Sequence, residues 1–217
     1  MGKLNAPENV MVQVLTPTLA AVYWMPPKKL NCVAVNYEVH WELVLDVLLP
    51  NSTRKITSQY DKINQPERMV DDKFLTRIQP LLPGQKYLIY VRVYPTNFSN
   101  SFTDSVSNTI HMYSEPNNLI LSGVSTNGIN ISWIPSVNLT IRYILEYKND
   151  AMQKWQKVNN TEKNNDRVTY YIENLLPQTL YKFRLILKYP KYMEDFIWPS
   201  DGDEFTFKTL GKQMKTL

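Results

Sequence analysis

The chain carries the same pattern of landmark residues twice. Pro7-Glu8-Asn9-Val10 opens a run of alternating residues, Pro116-Asn117-Asn118-Leu119 opens a second, and the two prolines stand 109 residues apart. Trp24 and Trp133 are separated by the same 109 residues. Each tryptophan closes a short segment of period two, Ala20-Val22-Trp24 in one copy and Ile129-Ile131-Trp133 in the other. That period belongs to a half-buried strand, and a repeat this long implies two structural units. A further alternating run follows in each copy: Val35, Tyr37, Val39 and Trp41, then Ile141, Tyr143, Leu145 and Tyr147. The sharpest match is a turn. Leu81-Leu82-Pro83-Gly84-Gln85-Lys86-Tyr87 corresponds to Leu175-Leu176-Pro177-Gln178-Thr179-Leu180-Tyr181, and each tyrosine opens another alternating strand.

Composition agrees with an all-β chain. Fourteen Tyr, five Trp and fourteen Pro against six Gly favour many short strands separated by Pro-bearing turns. The 217 residues suffice for two domains of about 100 residues each. Two-sheet sandwiches follow, with inward residues of both sheets interdigitating. The Leu-x-Pro-x-x-x-Tyr turn predicts a tyrosine corner, in which the buried tyrosine's hydroxyl reaches a backbone group upstream.

These residues resemble the fibronectin type III family: a Pro before the first strand, Trp24 and Trp133 in the second, Tyr37 and Tyr143 in the third, and Leu81 with Tyr87 and Leu175 with Tyr181 around the corner. The resemblance implies two consecutive immunoglobulin-like, seven-stranded β-sandwiches with those eight residues in their cores. We assign residues 1–5 to an added start or linker, 6–113 to module 1, 114–211 to module 2 and 212–217 to a tail. The dozen extra residues between Tyr37 and Tyr87 predict a longer loop or edge hairpin. Tyr113-Ser114-Glu115-Pro116-Asn117 is short and without glycine, and predicts limited bending between modules.

Few residues point to chemistry. The net charge of +4 is modest and the basic residues are scattered along the sequence, which argues against nucleic acid as a partner. No apolar run approaches the roughly 20 residues of a membrane span, so no direct membrane contact is expected of this segment, and the opening residues do not read as a secretion signal. His40 and His111 lie in strand-like stretches and read as solvated, and with Cys32 they are too few for a structural zinc site. Cys32 reads as a buried thiol. No phosphate loop, Gly-x-Ser-x-Gly elbow or His-Glu-x-x-His motif occurs. Asp201-Gly202-Asp203-Glu204 lacks the ligand spacing of a calcium loop and reads as a solvated acidic turn. A non-catalytic chain with no metal and no cofactor is the expectation.

Five Asn-x-Ser/Thr triplets begin at Asn51, Asn97, Asn130, Asn138 and Asn159. Twenty Asn among 28 Ser and Thr would give roughly 2.6 by chance, so the excess is mild. Placement matters more: four read as loop residues, and Asn130 points away from the face of Trp133. N-linked glycans, and so an extracellular portion of a plasma-membrane protein, are the expectation.

The segment from Tyr189 to Pro199 reads as an aromatic loop between the last two strands. Tyr192, Phe196, Ile197 and Trp198 have the composition of an interface hot spot, either for a protein ligand or for packing between modules. Val44 to Leu49 is a second apolar run, read as a continuing edge strand. A finer resemblance joins Pro26 to Cys32, Tyr37 to Trp41, Phe196 to Pro199 and Phe205 to Gly211 to the ectodomains of sevenless/ROS-type receptor tyrosine kinases. It implies a single-pass receptor whose kinase lies outside this chain, and protein ligands or neighbouring modules as partners. No Trp-Ser-x-Trp-Ser and no Arg-Gly-Asp is present, which speaks against a cytokine receptor and the simplest integrin ligand. A spacer of an adhesion or matrix protein, and an intracellular filament tandem that the sequons oppose, are the alternatives.

Overall fold

The computed structural model describes residues 4–30, 33–44, 58–63, 66–69, 71–116, 118–135, 142–164, 166–199 and 205–212. All regular elements among them are strands, and the chain divides into two compact units, Met1–Ser114 and Glu115–Leu217.

The first unit contains β1 (Glu8–Val14), β2 (Ala20–Met25), β3 (Val35–Val44), β4 (Ser58–Ile63), β5 (Glu67–Arg68), β6 (Phe74–Ile78), β7 (Lys86–Pro95), β8 (Thr103–Asp104) and β9 (Asn108–His111). One sheet has the order β1-β2-β6-β5; the other has β4-β3-β7 with both β8 and β9 on the free side of β7. β8 and β9 are two pieces of one edge strand. Between them Ser105 interrupts the ladder. Its amide donates to the Val91 carbonyl at 2.8 Å, and its Oγ accepts from the Val91 amide at 2.9 Å in place of a backbone carbonyl. A bulge of this kind satisfies the groups that a break would orphan.

The second unit repeats the plan with β10 (Ile120–Val124), β11 (Ile129–Trp133), β12 (Arg142–Lys148), β13 (Gln156–Lys157), β14 (Thr161–Asn164), β15 (Arg167–Ile172), β16 (Leu180–Lys188), β17 (Phe196–Trp198) and β18 (Phe205–Lys208). Its sheets run β10-β11-β15-β14 and β13-β12-β16, with β17 and β18 both on β16. Counting each split edge once gives seven principal strands per unit, with β5 and β14 as short additions. The units differ most beside the third strand: β4 pairs with six residues of β3, where β13 pairs with only two of β12. The extra residues of the first copy thus lengthen an edge strand. The loop before it, the apolar run from Leu45 to Leu49 and Cys32 lie outside the described residues.

Period-two alternation fills each interior. Ala20, Val22 and Trp24 are fully buried, as are Val39, Ile89, Val91 and Val93 from the facing sheet. Trp24, Tyr37 and Phe74 form a triangle of tilted rings with centroids 5.4 to 5.7 Å apart. In the second unit Trp133 meets Tyr143 edge-on at 5.2 Å, and Leu145, Phe183 and Leu185 are fully buried. Tyr143 itself is only part-buried. Burying a large apolar side chain contributes roughly 1.5–3 kcal/mol, so each unit has a core of its own.

The corner turn recurs bond for bond. The Tyr87 hydroxyl accepts from the Leu82 amide at 2.9 Å, and the Tyr181 hydroxyl from the Leu176 amide at 2.9 Å. Leu81 donates its amide to Thr18, and Leu175 donates to Asn127, tying the turn to the loop before the tryptophan strand. The amides of Gly84 and Gln178 reach the last strand's extension at Tyr113 and Leu210. Both residues are left-handed, at φ 67° and 51°. Glycine adopts that geometry freely, whereas Gln178 does so against a steric cost.

Candidate functional site: exposed sheet faces and glycan acceptors

The aromatic segment between the last strands is partly a strand. Phe196–Trp198 pairs with β16, placing Leu187 opposite Phe196, Ile186 opposite Ile197 and Leu185 opposite Trp198. Alternation turns Phe196 and Trp198 inward, where Phe196 meets Tyr189 at 5.8 Å and Trp198 meets Phe205 at 4.8 Å. Both are buried, and only Ile197 of the three is exposed, at 44 %. The reading of this segment as a loop throughout is therefore corrected at Phe196, Ile197 and Trp198, which form a strand. What remains accessible there is Ile197 and the turn containing Tyr192, whose hydroxyl donates to Glu194 at 2.9 Å.

The glycan acceptors fall into distinct settings. Asn97 is exposed in the turn after β7, and Asn159 is exposed just before β14. Asn130 lies on β11 and is half-buried. Its amide lies over Gly123 of the neighbouring strand, so close that a Cβ on Gly123 would stand 2.9 Å from Nδ2. Asn51 and Asn138 lie outside the described residues, as does the acidic turn from Asp201 to Glu204.

His40 departs from the expected solvated state. It points outward from β3, yet only 5 % of its surface is exposed. Register places it between Tyr60 of β4 and Tyr90 of β7. The imidazole stacks on both rings at 4.9 and 4.8 Å, and Nε2 lies 2.9 Å from the Glu38 carboxylate. Outward parity does not guarantee solvation when aromatic neighbours stand on both flanking strands. His111 is exposed, and its Nε2 lies 2.9 Å from the Gly84 carbonyl oxygen.

Around this stack the outward face of the first unit balances its charges. Lys62 lies opposite Glu38, Glu38 opposite Arg92, and Arg92 opposite Asp104. The Arg92 guanidinium donates to both oxygens of Asp104 at 2.7 and 3.0 Å, which raises its already high pKa. It also covers the Phe102 ring at 3.7 Å. On the second unit's equivalent face, Trp155 lies between cations: Lys148 Nζ is 4.9 Å and the Arg184 guanidinium 4.3 Å from its ring. Arg184 donates from Nε and a terminal nitrogen to Glu146 at 2.9 and 2.8 Å.

Nothing in these arrangements resembles a nucleophile with its base. Among the described residues no three His, Cys, Asp or Glu side chains converge as a metal cage, and no helix is long and apolar enough to cross a membrane. The faces are suited to contact rather than to chemistry.

Residues 114–192 match the model of the fibronectin type III domain. The chain is 25 % identical over 185 residues to Protein sevenless of Drosophila melanogaster, covering 85 % of this chain and 7 % of that protein. It is 26 % identical over 187 residues to Receptor-type tyrosine-protein phosphatase F of Mus musculus, covering 83 % and 9 %. It is also 26 % identical over 211 residues to Protein sidekick of Drosophila melanogaster, covering 90 % and 9 %. The chain thus spans less than a tenth of the length of these relatives, and each match extends across both units.

Proposed function

For a chain made of two fibronectin type III sandwiches, non-catalytic modules typical of extracellular receptor and adhesion proteins, we propose the role of a protein-binding and spacing segment in the ectodomain of a single-pass receptor, of the sevenless type with a cytoplasmic tyrosine kinase elsewhere in the protein. The observation that carries this reading is the match to Protein sevenless along 85 % of the chain. The physical design supports it: each unit closes its own core and corner, leaving turns and outward faces available for ligands.

A second reading, a structural spacer without a dedicated ligand, is favoured by the burial of Phe196 and Trp198 within their own unit. Substitution separates the two. The secreted chain is assayed for binding to cells displaying the receptor's ligand, with Tyr192→Ala and Ile197→Ala tested for folding in parallel. A receptor segment binds in its wild-type form and loses affinity in the exposed-residue variants while keeping its thermal midpoint. Absence of wild-type binding supports the spacer.

A further inference from the structure

The outer strand of a sheet presents backbone N–H and C=O groups with no neighbouring strand, and such an edge pairs with another chain unless it is short, bulged or covered. Most edges among the described residues are protected in this way. β1 and β10 each carry a bulge against the next strand, and β5, β13 and β14 are two, two and four residues long. The edge made by β8 and β9 is interrupted at Ser105, and β17 and β18 are three and four residues long. β4 is the exception. It pairs with β3 over six consecutive residues in unbroken register, and Ser58 to Lys62 are all exposed. Among the described residues no strand lies on its other side.

The outward face of β4 carries the end of a row of rings. Tyr90, His40 and Tyr60 stand directly opposite one another on β7, β3 and β4. Their centroids are 4.8 and 4.9 Å apart and their planes are tilted by only 8° and 18°. Those spacings match the separation of neighbouring strands, about 4.7–4.9 Å, so each strand adds one ring to the stack. The row stops at Tyr60, which is 52 % exposed. A further strand would place the next ring at the same spacing.

We propose that β4 pairs antiparallel with β4 of a second copy of this chain, Tyr60 opposite Tyr60, joining two ring rows into one. Symmetry and charge select the register. A two-fold axis normal to the sheet keeps each side chain on its own face, so it passes between two copies of one residue. An axis at Asp61 or at Lys62 opposes like charges, which destabilises a sheet. An axis at Gln59 pairs only Ser58 to Tyr60. The axis at Tyr60 opposes no like charges; it sets Ser58 against Lys62 and Gln59 against Asp61, each twice. An inward charge on an edge strand, here Asp61, ordinarily discourages pairing. In this register it meets Gln59 of the second copy, whose Oε1 accepts from the Trp41 indole at 2.9 Å and whose amide nitrogen is a donor for the carboxylate. The paired segment is short, so the dimer is weak and concentration-dependent, smaller than a standard interface. It involves the first unit alone and stands apart from the receptor reading.

Sedimentation equilibrium of the 217-residue chain over a concentration series tests the pairing, with Cys32→Ser throughout to remove the native thiol. A reversible monomer–dimer equilibrium is expected. Ser58 faces Glu42 within its own sheet and Lys62 across the proposed interface. Ser58→Lys should therefore weaken the dimer about fivefold or more while the monomer's thermal midpoint holds or rises. Ser58→Glu should tighten the dimer about fivefold or more while that midpoint holds or falls. The opposite signs separate lost pairing from lost folding. Register is read by disulfide capture under mild oxidation. Chains carrying Ser58→Cys mixed with chains carrying Lys62→Cys should cross-link, because directly opposed residues stand about 4.5–5.5 Å apart. Either variant alone should cross-link little, its two copies lying about 13 Å apart along the strand. A chain that stays monomeric at its highest soluble concentration overturns the proposal. So do Ser58 variants that leave the dimer unchanged or shift it in one direction, and a mixture no more cross-linked than its components.

Discussion

Removing the hydroxyl from either corner tyrosine isolates one hydrogen bond in a buried setting. Tyr87→Phe keeps the ring, which is 5 % exposed, and deletes only the acceptor for the Leu82 amide. A net hydrogen bond contributes about 0.5–1.5 kcal/mol, and an orphaned buried donor costs about 1–3 kcal/mol. Leu82 is 55 % exposed, so water reaches part of the turn and the lower range applies. We expect about 1–1.5 kcal/mol. For a domain of about 100 residues each kcal/mol moves the midpoint by about 4–8 °C, so the shift should be roughly 4–12 °C. Tyr181→Phe removes the same bond in the second unit and should cost a similar amount. Scanning calorimetry measures both, with Tyr23→Phe, a half-buried tyrosine of β2, as the control. A shift below about 2 °C in the corner variants, or an equal shift in the control, would refute the assignment of stability to this bond.

Three further outcomes follow from the structure. Gln178→Gly relieves a left-handed glutamine at φ 51°, and after the entropy cost of glycine should raise stability by roughly 0.5 kcal/mol, read as a higher denaturation midpoint; a loss would contradict the backbone argument. Burial pushes the Tyr37 hydroxyl up to about 12 from 10, so the folded state holds its proton more tightly than the unfolded state. Its stabilising contribution is fully present below pH 10 and is lost between pH 10 and about 12, at up to about 1.4 kcal/mol per pH unit. Alkaline unfolding curves should flatten in Tyr37→Phe. Trp198→Ala should cost about 3–5 kcal/mol by opening a cavity, while Ile197→Ala on the opposite face should stay within about 1 kcal/mol; equal effects in chemical denaturation would contradict the inward and outward assignment.

The sequence reveals this fold through features that act locally. Ala20-Val22-Trp24 and Ile129-Ile131-Trp133 alternate because one face of each strand is buried, and the corner spacing is set by a single turn whose partners lie within six residues. Other features depend on register between distant segments. His40 is buried by Tyr60 and Tyr90, which only strand pairing brings alongside it. Two opposed cations of the second unit are invisible for the same reason: Arg142 and Lys188 are scattered in sequence and adjacent in space. Phe196-Ile197-Trp198 shows one cycle of alternation, too short to outweigh the Pro- and charge-bearing residues around it. The partners of that strand lie on β16, and pairing with them decides which rings face inward.

The extracellular assignment is tested most directly by the intact mass of this chain secreted from animal cells behind a borrowed signal peptide, before and after enzymatic deglycosylation. The account predicts a secreted product that loses mass on deglycosylation, with glycans at the exposed Asn97 and Asn159 and none at Asn130, whose amide is packed against Gly123. A product retained in the cell, or secreted with Asn97 and Asn159 bare, would contradict it.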